Sequence, residues 1–529
     1  MRRLVATAAL SSLAALLAAG AAADTPRMRR ADAFLGIHFD FHAGPDCTNV
    51  GAHTTREMVG AILDEVRPDY IQIDCKGHRG YCSYPTRVGH PAPGIVGDPL
   101  RVWREVTRER GVALFMHYSG VWDYRAVELH PEWAARNADG KPNTKATSVF
   151  GRYADELLIP QLRELAGAYG VDGAWVDGDC WGVALDYGDT PVQAFLRAAG
   201  AAAAPRKAGE PFWDEWKEFN RDGFRRHLRH YVDALRQSHP DFEVISNWAF
   251  SDHMPEPVSA NVAALSGDFA PDDSVNSARF AGRCIENQGR PWDLMSWSFS
   301  RKTRKQKPAP QLMQEAAVVL AQGGGYQAYF TQNRDGSVRL AEMEVMAGVA
   351  RFCRERQSFA HRSTAVPQVA LLYSTAGHYG SSDRLFHPTG GDGIGVLRPA
   401  LQQILGARFG VQIVSEHHLH GAMAAWPVIV VPGWSRMSPA FRDELAAYAK
   451  AGGRLLLIGD GPARLFERER AGADPDHLAF VAAPDAALTA TLRRMFREPV
   501  VRVDGPGSID IMASANRVTL TIGLREVTL

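Results

Sequence analysis

Asp177 is the residue of this 529-residue chain that is best placed to act as a nucleophile or an acid. It ends the short apolar run Gly173–Asp177, and Gly178 directly after it leaves room for a ligand to approach the backbone. If the run is a β-strand, Trp175 shares a face with Asp177, because alternate residues of a strand point the same way. A carboxylate beside aromatic rings suits a sugar, which packs its C–H face on a ring and bonds its hydroxyl groups to the charge. We therefore predict a carbohydrate site around Asp177, with Trp175 and Trp181 as substrate-binding residues.

Hydrolysis of a glycosidic bond usually needs a second carboxyl group. Asp268, Asp272 and Asp273 follow another apolar run, and we predict that the catalytic acid is among them. Capping of the helix that begins near Ser274 is the alternative explanation for Asp272 and Asp273, since carboxylates are favoured at a helix N-terminus. The reserve candidates for the acid are Glu286 and Asp293.

Polar residues also end the first three apolar runs. His38, Asp40 and His42 alternate along the first run, so they share a face if the run is a strand. Polar groups on an otherwise apolar strand need partners, and hydrogen bonds to sugar hydroxyl groups are the interpretation we favour. A metal site and internal hydrogen bonding are the alternatives; we predict no metal and no cofactor. The second and third runs end in further predicted substrate-binding residues: Lys76, His78, Tyr84, His117 and Tyr118.

Two kinds of element alternate along the first 360 residues. Eight apolar runs are typical of strands: Leu35–Phe41, Tyr70–Asp74, Ala113–Tyr118, Gly173–Asp177, Glu243–Asn247, Val262–Gly267, Leu294–Ser298 and Tyr326–Thr331. Amphipathic stretches typical of helices lie between most of them: Thr55–Glu65, Pro99–Arg110, Ala154–Tyr169, Phe212–Ser238, Ser274–Asn287 and Pro310–Gln322. This alternation predicts parallel βαβ units. Eight units predict an α/β fold, a (β/α)8 TIM barrel over residues 31–362 with its active site at the carboxyl ends of the strands. An open doubly wound sheet is the alternative.

A second α/β unit is predicted over residues 366–480. Strand patterns such as Val369–Tyr373 and helical patterns such as Leu397–Phe409 alternate there as in a flavodoxin-like domain. The glycine-rich run 390–395 does not directly follow a strand, so we expect no nucleotide to bind there. The remaining segment, 481–529, is predicted to be a short β-rich segment.

Residues 1–23 have the pattern of a signal peptide: a basic start, an apolar stretch at Leu4–Leu17 and small residues before Asp24. We therefore expect a secreted or periplasmic protein that has no membrane anchor after cleavage; a retained N-terminal membrane anchor is the alternative. Lys+Arg and Asp+Glu both number 59, and this balance argues against nucleic-acid partners, which need a positive field. None of the six cysteines forms a CxxC pair, which argues against a structural zinc site. One disulfide among Cys47, Cys75 and Cys82 and buried free thiols are both open.

The chain from Phe34 to Phe359 resembles the α-L-fucosidases of glycoside hydrolase family 29 and their relatives in family 151. The family 29 pattern K-H-H-D-G-F-x-x-W-P-S is similar to residues 76–86, which read K-G-H-R-G-Y-C-S-Y-P-T. Four shorter family patterns have similar segments in the same order: H-W-G at His42–Gly44, G-L-Y-Y-S at Phe115–Ser119, W-F-D-G at Trp175–Gly178 and N-x-x-P-x-x-D-G at Thr331–Gly336.

The resemblance implies roles for individual residues. It makes Asp177 the nucleophile and places the acid/base after strand six, where the family has G-D-F-x-T-P-E. A gapless overlay puts Asp273 on the glutamate, and an overlay anchored on the proline puts Asp272 there. The chain departs from the family at Gly77, which replaces the first histidine of the pair, and after strand five, where residues 247–251 lack the family's arginine. The second unit resembles the trimerisation-like domain of family 151 and of family 42 β-galactosidases, which implies a homo-oligomer.

These features predict a retaining exo-glycosidase of the α-L-fucosidase kind, acting on oligosaccharides or glycans. A β-galactosidase-type hydrolase is one alternative; it would use Asp177 as the proton donor and need a carboxylate at the end of strand seven. That strand ends in Met295–Phe299, which contains no carboxylate. A non-catalytic carbohydrate-binding protein on a degenerate barrel is the other alternative.

Overall fold

The computed structural model describes residues 28–247, 254–382, 384–386, 394–505, 509–516 and 520–526. The predicted signal peptide and most of the glycine-rich run therefore lie outside the described residues. In the part that is described, no helix is long and apolar enough to cross a membrane.

Eight parallel strands form a barrel, as predicted. We number them β1 to β8: Leu35–Asp40, Tyr70–Lys76, Ala113–Ser119, Gly173–Asp177, Glu243–Ser246, Leu265–Asp268, Trp292–Trp297 and Gly325–Thr331. Their order in the sheet is β6-β7-β8-β1-β2-β3-β4-β5. The circle closes next to β5 and β6 through a hydrogen bond from the Ala263 amide to the Val244 carbonyl (3.0 Å). The closed order confirms the (β/α)8 barrel and rules out the alternative of an open doubly wound sheet.

Helices surround the barrel and cover its strands. The connecting helices are Arg56–Val66, Pro99–Glu109, Trp213–Ser238, Ser274–Ile285, Ala309–Ala321 and Ala341–Ala360, and the helical stretch between β3 and β4 is made of Ala154–Leu158, Ile159–Glu164 and Leu165–Tyr169. Local sequence defines their ends: the Thr55 side chain accepts a hydrogen bond from the Met58 amide (3.2 Å), and Asp98 accepts one from Arg101 (3.0 Å). Shorter elements follow β3 and β4: the helices Tyr124–Leu129, Asp179–Gly182 and Asp189–Ala199, and the paired strands Ala134–Arg136 and Pro142–Thr147.

A buried arginine fills the amino-terminal end of the barrel. Arg30 donates to Asp293 through Nε (2.7 Å) and lies over the Tyr70 ring (3.7 Å from its centroid). Because Asp293 is held at this end by Arg30, it is not available to the carboxyl-end pocket, and we exclude it as the acid.

A second, five-stranded parallel sheet follows the barrel. Its strands are β9 to β13: Val369–Tyr373, Val411–Ser415, Val428–Val431, Leu455–Ile458 and Leu478–Val481. They lie in the order β10-β9-β11-β12-β13, the order of flavodoxin-like folds. Its longer helices are Leu397–Gly406, Pro439–Lys450 and Ala486–Met495. Leu488 and Leu492 are buried in the core of this unit, so the flavodoxin-like unit continues past residue 480 and the first part of the predicted β-rich segment is helical.

The C-terminal strands Ile509–Ala515 and Leu520–Glu526 pair antiparallel, and the two-residue strand Thr364–Ala365 adds to their edge. The barrel and the flavodoxin-like unit share a packed boundary, since Phe280 and Cys284 of a barrel helix are buried in the core of the second unit. All six cysteines are buried free thiols.

Candidate active site

A pocket of about 290 Å³ opens at the carboxyl end of the barrel. It is lined by His38, Asp40, His42, His78, His117, Trp122, Trp175, Asp177, Asp268, Met295, Trp297 and Tyr329. Six of these are among the predicted substrate-binding residues, and two are predicted catalytic carboxyl groups. The pocket is small and rich in rings and charges, which fits one polar ring-shaped ligand better than an extended chain.

Asp177 accepts three hydrogen bonds at the end of β4 and also contacts His78. Its Oδ1 accepts from the Gly178 amide (2.7 Å) and from Asn247 Nδ2 (2.9 Å). Its Oδ2 lies 3.3 Å from His78 Nε2 and 3.2 Å from His117 Nε2. Burial raises the pKa of Asp177, but the neighbouring histidines His78 and His117 outweigh it and hold the pKa below its usual range. The carboxylate is therefore ionised and fixed in direction, as a nucleophile must be.

The histidines around Asp177 divide into charged and neutral rings. Burial lowers the pKa of His117, but the charges of Asp40 and Asp177 outweigh it and hold the pKa well above its usual value. His42 pairs with Asp40 at 2.7 Å, and the charge of Asp40 outweighs burial and raises the His42 pKa. Burial lowers the pKa of His78 to about 4. The pocket thus presents both cationic and neutral donors to hydroxyl groups.

The barrel interior determines which ring nitrogen of His38 carries the proton. Burial lowers its pKa to about 3, so the ring is neutral, and its Nδ1 accepts from the Gln72 amide at 2.8 Å. A neutral ring that accepts at Nδ1 carries its proton on Nε2. His38 is therefore a hydrogen-bond donor, and it lies against the Tyr329 ring at 4.8 Å between ring centroids.

Asp268 supplies the second acidic group on the β6 side of the pocket. Its Oδ2 accepts from Trp297 Nε1 at 2.8 Å, which orients the carboxyl group. Asp273 instead lines a different cavity, beside Arg279 and Arg398, and accepts from Asn276 Nδ2 at 3.0 Å. Asp272 is exposed and lies 3.9 Å from Arg301. The geometry therefore favours Asp268 and does not support the overlays that place the acid on Asp273 or Asp272.

The reason lies in the backbone after β6. Asp273 directly precedes the helix Ser274–Ile285, and its carbonyl accepts from the Ser277 amide (2.9 Å), as an N-cap residue does. The chain has already left the barrel mouth at that point. Glu286 follows this helix, is half-buried and does not line the pocket.

Comparison with known proteins gives the family of the chain. The family model described as Alpha-L-fucosidase matches residues 68–357, more than half of the 529 residues. The chain belongs to the alpha-L-fucosidase family. No curated protein sequence matches it.

Solved structures share the fold of this family member at low identity. Alpha-L-fucosidase isoenzyme 2 from Paenibacillus thiaminolyticus is similar with a TM-score of 0.67 and 18% identity, over 81% of this chain and 64% of that chain. The chain thus spans slightly less than two thirds of that relative's length. β-Galactosidases from Rahnella sp. R3 (TM-score 0.62, 14% identity, 82% of this chain and 72% of that chain) and Halorubrum lacusprofundi (0.60, 15%, 80% and 72%) are also similar.

The departure from the family pattern at Gly77 has a structural counterpart in His42. A Cβ at Gly77 would lie 2.7 Å from His42 Cα and 2.7 Å from His42 Nδ1. His42 has a φ of 47°, in the left-handed region, and this backbone conformation places its ring against Gly77. In this alpha-L-fucosidase family member, His42 therefore occupies the space that a histidine at position 77 would need. The arginine predicted to be missing after strand five falls within residues 248–253, outside the described part.

Three predicted substrate-binding residues do not line the pocket. Lys76 donates to Asp123 and Tyr153, Tyr84 donates to Glu164, and Tyr118 donates to Gln161. The β2 register shifts between Asp74 and Lys76, which pairs Lys76 with Tyr118. His117 faces the pocket, so its neighbour Tyr118 faces the surrounding helices. The side chain of Trp181 lies outside the described part of the structure.

Sequence reasoning missed five residues that line the pocket or hold Asp177: Trp122, Asn247, Met295, Trp297 and Tyr329. All lie near the carboxyl ends of β3, β5, β7 and β8. Side-chain alternation along a strand could have identified two of them, because Met295 and Trp297 are two residues apart on β7 and therefore share a face.

Two groups of side chains could hold a metal ion. Asp40, His42 and His117, and likewise His42, His78 and Asp177, bring donor atoms within 4.8 Å of one another. In both groups carboxylates already pair with imidazoles, as the 2.7 Å contact between Asp40 and His42 shows. The assignment of Asp177 does not require an ion.

Proposed function

We propose that the protein is a retaining exo-glycoside hydrolase that removes terminal α-L-fucose from oligosaccharides or glycans. The observation that carries the proposal is the ionised Asp177, which accepts three hydrogen bonds in a pocket that Asp268 also lines. Membership of the alpha-L-fucosidase family supports the choice of sugar. The pocket volume of about 290 Å³ supports recognition of a single terminal residue.

The proposed reaction has two displacements at the anomeric carbon. Oδ2 of Asp177 has the longer contacts, 3.2 and 3.3 Å, so it is the oxygen that attacks C1. Asp268 gives its proton to the leaving oxygen as the glycosidic bond breaks. Asp268 then takes a proton from water, whose oxygen attacks C1 and releases Asp177. Two inversions give net retention of configuration.

The other described residues of the pocket support this reaction. His117, protonated next to Asp177, stabilises the carboxylate that departs in the second step. His38 donates from Nε2, and the Trp175 and Trp297 rings supply apolar faces for the sugar. Methionine and tryptophan, not a carboxylate, line the β7 side of the pocket, which disfavours a β-galactosidase-type arrangement with a nucleophile there.

Hydrolysis of 4-nitrophenyl α-L-fucopyranoside tests the proposal. Proton NMR of the first product should show α-L-fucose before mutarotation. The same panel should include aryl β-galactoside, α-galactoside and β-xyloside. Turnover of another glycoside alone would reject the sugar, first release of β-L-fucose would reject the retaining mechanism, and sugar binding without any turnover would select the non-catalytic alternative.

We also propose that the protein is exported and forms a homo-oligomer. The signal-peptide pattern of residues 1–23 supports export, and the fold shared with β-galactosidases supports assembly through the flavodoxin-like unit. N-terminal sequencing of the mature protein should begin near Asp24. Light scattering should give a mass of two or more chains, whereas a monomeric mass would reject the assembly.

A further inference from the structure

A cleft of about 980 Å³ lies between the barrel and the flavodoxin-like unit, away from the pocket described above. One wall is the carboxyl end of the five-stranded sheet: Thr375 follows β9, Glu416 follows β10 and Ser435 follows β11. β10 lies on one side of β9 and β11 lies on the other, so the strand order reverses at β9. Open α/β sheets bind their ligands in the crevice at such a switch point.

The opposite wall is one face of the barrel helix Trp213–Ser238. Asp214, Glu218, Arg221 and Arg225 line the cleft at spacings of four, three and four residues, which places them on a single face. The helix begins at the carboxyl end of the barrel, because it follows β4. These residues occupy its first half, so the cleft lies toward the same end of the barrel as the pocket.

The polar groups of the cleft are fixed before any ligand arrives. Arg225 donates to both carboxylate oxygens of Glu256 (3.0 and 2.5 Å) and to Glu218 (2.6 Å). Tyr379 donates to Glu256 (3.0 Å), and the Arg221 guanidinium lies 3.9 Å from the centroid of the Tyr379 ring. A site whose side chains are already held loses little conformational entropy on binding.

The charges of the cleft identify the kind of ligand. Four carboxylates, those of Asp214, Glu218, Glu256 and Glu416, face three guanidinium groups, those of Arg221, Arg225 and Arg436. This balance gives no positive field for a phosphate. The hydroxyl groups of Ser259, Thr375 and Ser435 and the apolar surfaces of Met437 and Leu465 complete the lining. Paired planar ions, hydroxyl groups and apolar patches suit a neutral molecule with many hydroxyl groups.

We propose that this interdomain cleft is a second carbohydrate-binding site that takes a neutral oligosaccharide. Its volume is more than three times that of the barrel pocket, so it accommodates several sugar units where the pocket takes one. That the same glycan reaches both sites rests on the proposed function; binding in the cleft does not.

Isothermal titration with lacto-N-tetraose tests the proposal. This neutral tetrasaccharide contains no fucose, so it separates the cleft from the proposed fucose pocket. The full-length protein should bind it at one site per chain. Met437→Trp, which fills the cleft, and Glu218→Gln, which weakens the hold on Arg225, should each lower the affinity at least tenfold. Glu215→Gln, an exposed residue on the same helix that does not line the cleft, is the matched control and should leave the affinity unchanged.

Asp177→Asn keeps the two tests distinct. It should abolish hydrolysis of aryl fucoside and leave binding of the tetrasaccharide intact. Absence of heat or saturation-transfer signal from the wild-type protein at 10 mM tetrasaccharide would overturn the proposal. Equal binding by wild type and Met437→Trp, or loss of binding in Asp177→Asn, would overturn it as well, because the sugar would then lie elsewhere.

Discussion

Asp268 and Asp177 are carboxyl groups of one pocket in different surroundings. Asp177 is surrounded by imidazoles that keep it ionised, whereas Asp268 accepts from an indole N–H. Two carboxyl groups in unlike environments are the usual basis for dividing the nucleophile and acid roles. We propose that Asp177, which is held ionised, attacks and that Asp268 is the proton donor.

Exchange of Asp268 for alanine should slow substrates with poor leaving groups most. Loss of the acid removes about 10²–10⁴-fold in rate on such substrates, while activated aryl fucosides need little protonation. Azide should then yield the retained glycosyl azide, because the covalent intermediate still forms. Steady-state kinetics on both substrate types checks this.

Asp273→Ala is the matched control for Asp268→Ala. Asp273 lies at another cavity, so its loss should leave both kinetic parameters near wild type. An inactive Asp273→Ala together with an active Asp268→Ala would contradict the assignment and restore the gapless overlay.

His78 should make the stability of the protein depend on pH. Burial lowers its pKa to about 4, against 6.5 for the free side chain, so between these values the unfolded chain takes up a proton that the folded protein refuses. Its contribution to the unfolding free energy is present above pH 6.5 and decreases as the pH falls toward 4, by up to about 3 kcal/mol.

His78→Gln should therefore lose less stability than wild type between pH 7 and pH 4.5. Urea unfolding at several pH values measures the difference. His53→Gln removes a histidine whose side chain is 75% exposed and should follow the wild-type curve. Parallel curves for His78→Gln and wild type would show that His78 is not buried as a neutral ring.

The loop after β1 and the loop after β2 compete for the same space next to Gly77. His42 fills the space next to Gly77, and the left-handed backbone at His42 makes this arrangement possible. Gly77→Ala should lower the unfolding free energy by roughly 1–3 kcal/mol, because its Cβ would lie 2.7 Å from the His42 backbone.

The double variant Gly77→His with His42→Gly should recover much of what Gly77→His loses. It removes the ring and gives the left-handed position to glycine, which adopts it without strain. Thermal unfolding and aryl-fucoside kinetics of both single variants and the double variant form a double-mutant cycle. Strict additivity would contradict the shared-space explanation.

The strands and helices of the barrel could be predicted from sequence because both faces of each strand are buried and the runs are apolar. Predicted and observed strands differ by at most three residues at their ends: Gly173–Asp177 is identical, and the largest difference is Val262–Gly267 against Leu265–Asp268. The face of the strand to which each side chain points is harder to predict than the strand itself. The irregularity after Asp74 turns Lys76 outward, and no residue type in the motif marks it.

The position of the acid is a related case: the motif overlays favour Asp273 or Asp272, whereas the pocket geometry favours Asp268. Aligning 267–273 with a family motif assumes that the backbone follows the same path, but here Asp273 lies at the helix start and Asp268 at the strand end. Distances between carboxyl groups from different strands depend on packing that sequence spacing does not contain. The contact between His42 and Gly77 also depends on packing between strand ends, so sequence spacing does not predict it.

At the scale of the whole molecule, one buried arginine joins the two units. Arg283, fully buried on a barrel helix, donates to the Val411 carbonyl (2.9 Å) in the flavodoxin-like unit and to Asp510 (2.7 Å) in the C-terminal strands. Arg283→Met should lower stability by about 3 kcal/mol, because it leaves a buried carbonyl and a partly buried carboxylate short of a partner. Calorimetry should show a lower Tm, and Arg301→Met, an exposed control, should not. Equal Tm values for the two variants would show that Arg283 does not stabilise the boundary between the units.

We propose that Asp177 becomes covalently bound to the sugar during turnover. The most direct measurement uses 2-deoxy-2-fluoro-α-L-fucosyl fluoride, whose fluorine at C2 slows the second displacement while its leaving group lets the first proceed. Mass spectrometry of the treated protein should show one added fluorofucosyl group, and peptide mapping should place it on Asp177. An adduct on another carboxylate, or hydrolysis of aryl fucoside with inversion and no adduct, would show that Asp177 is not the nucleophile.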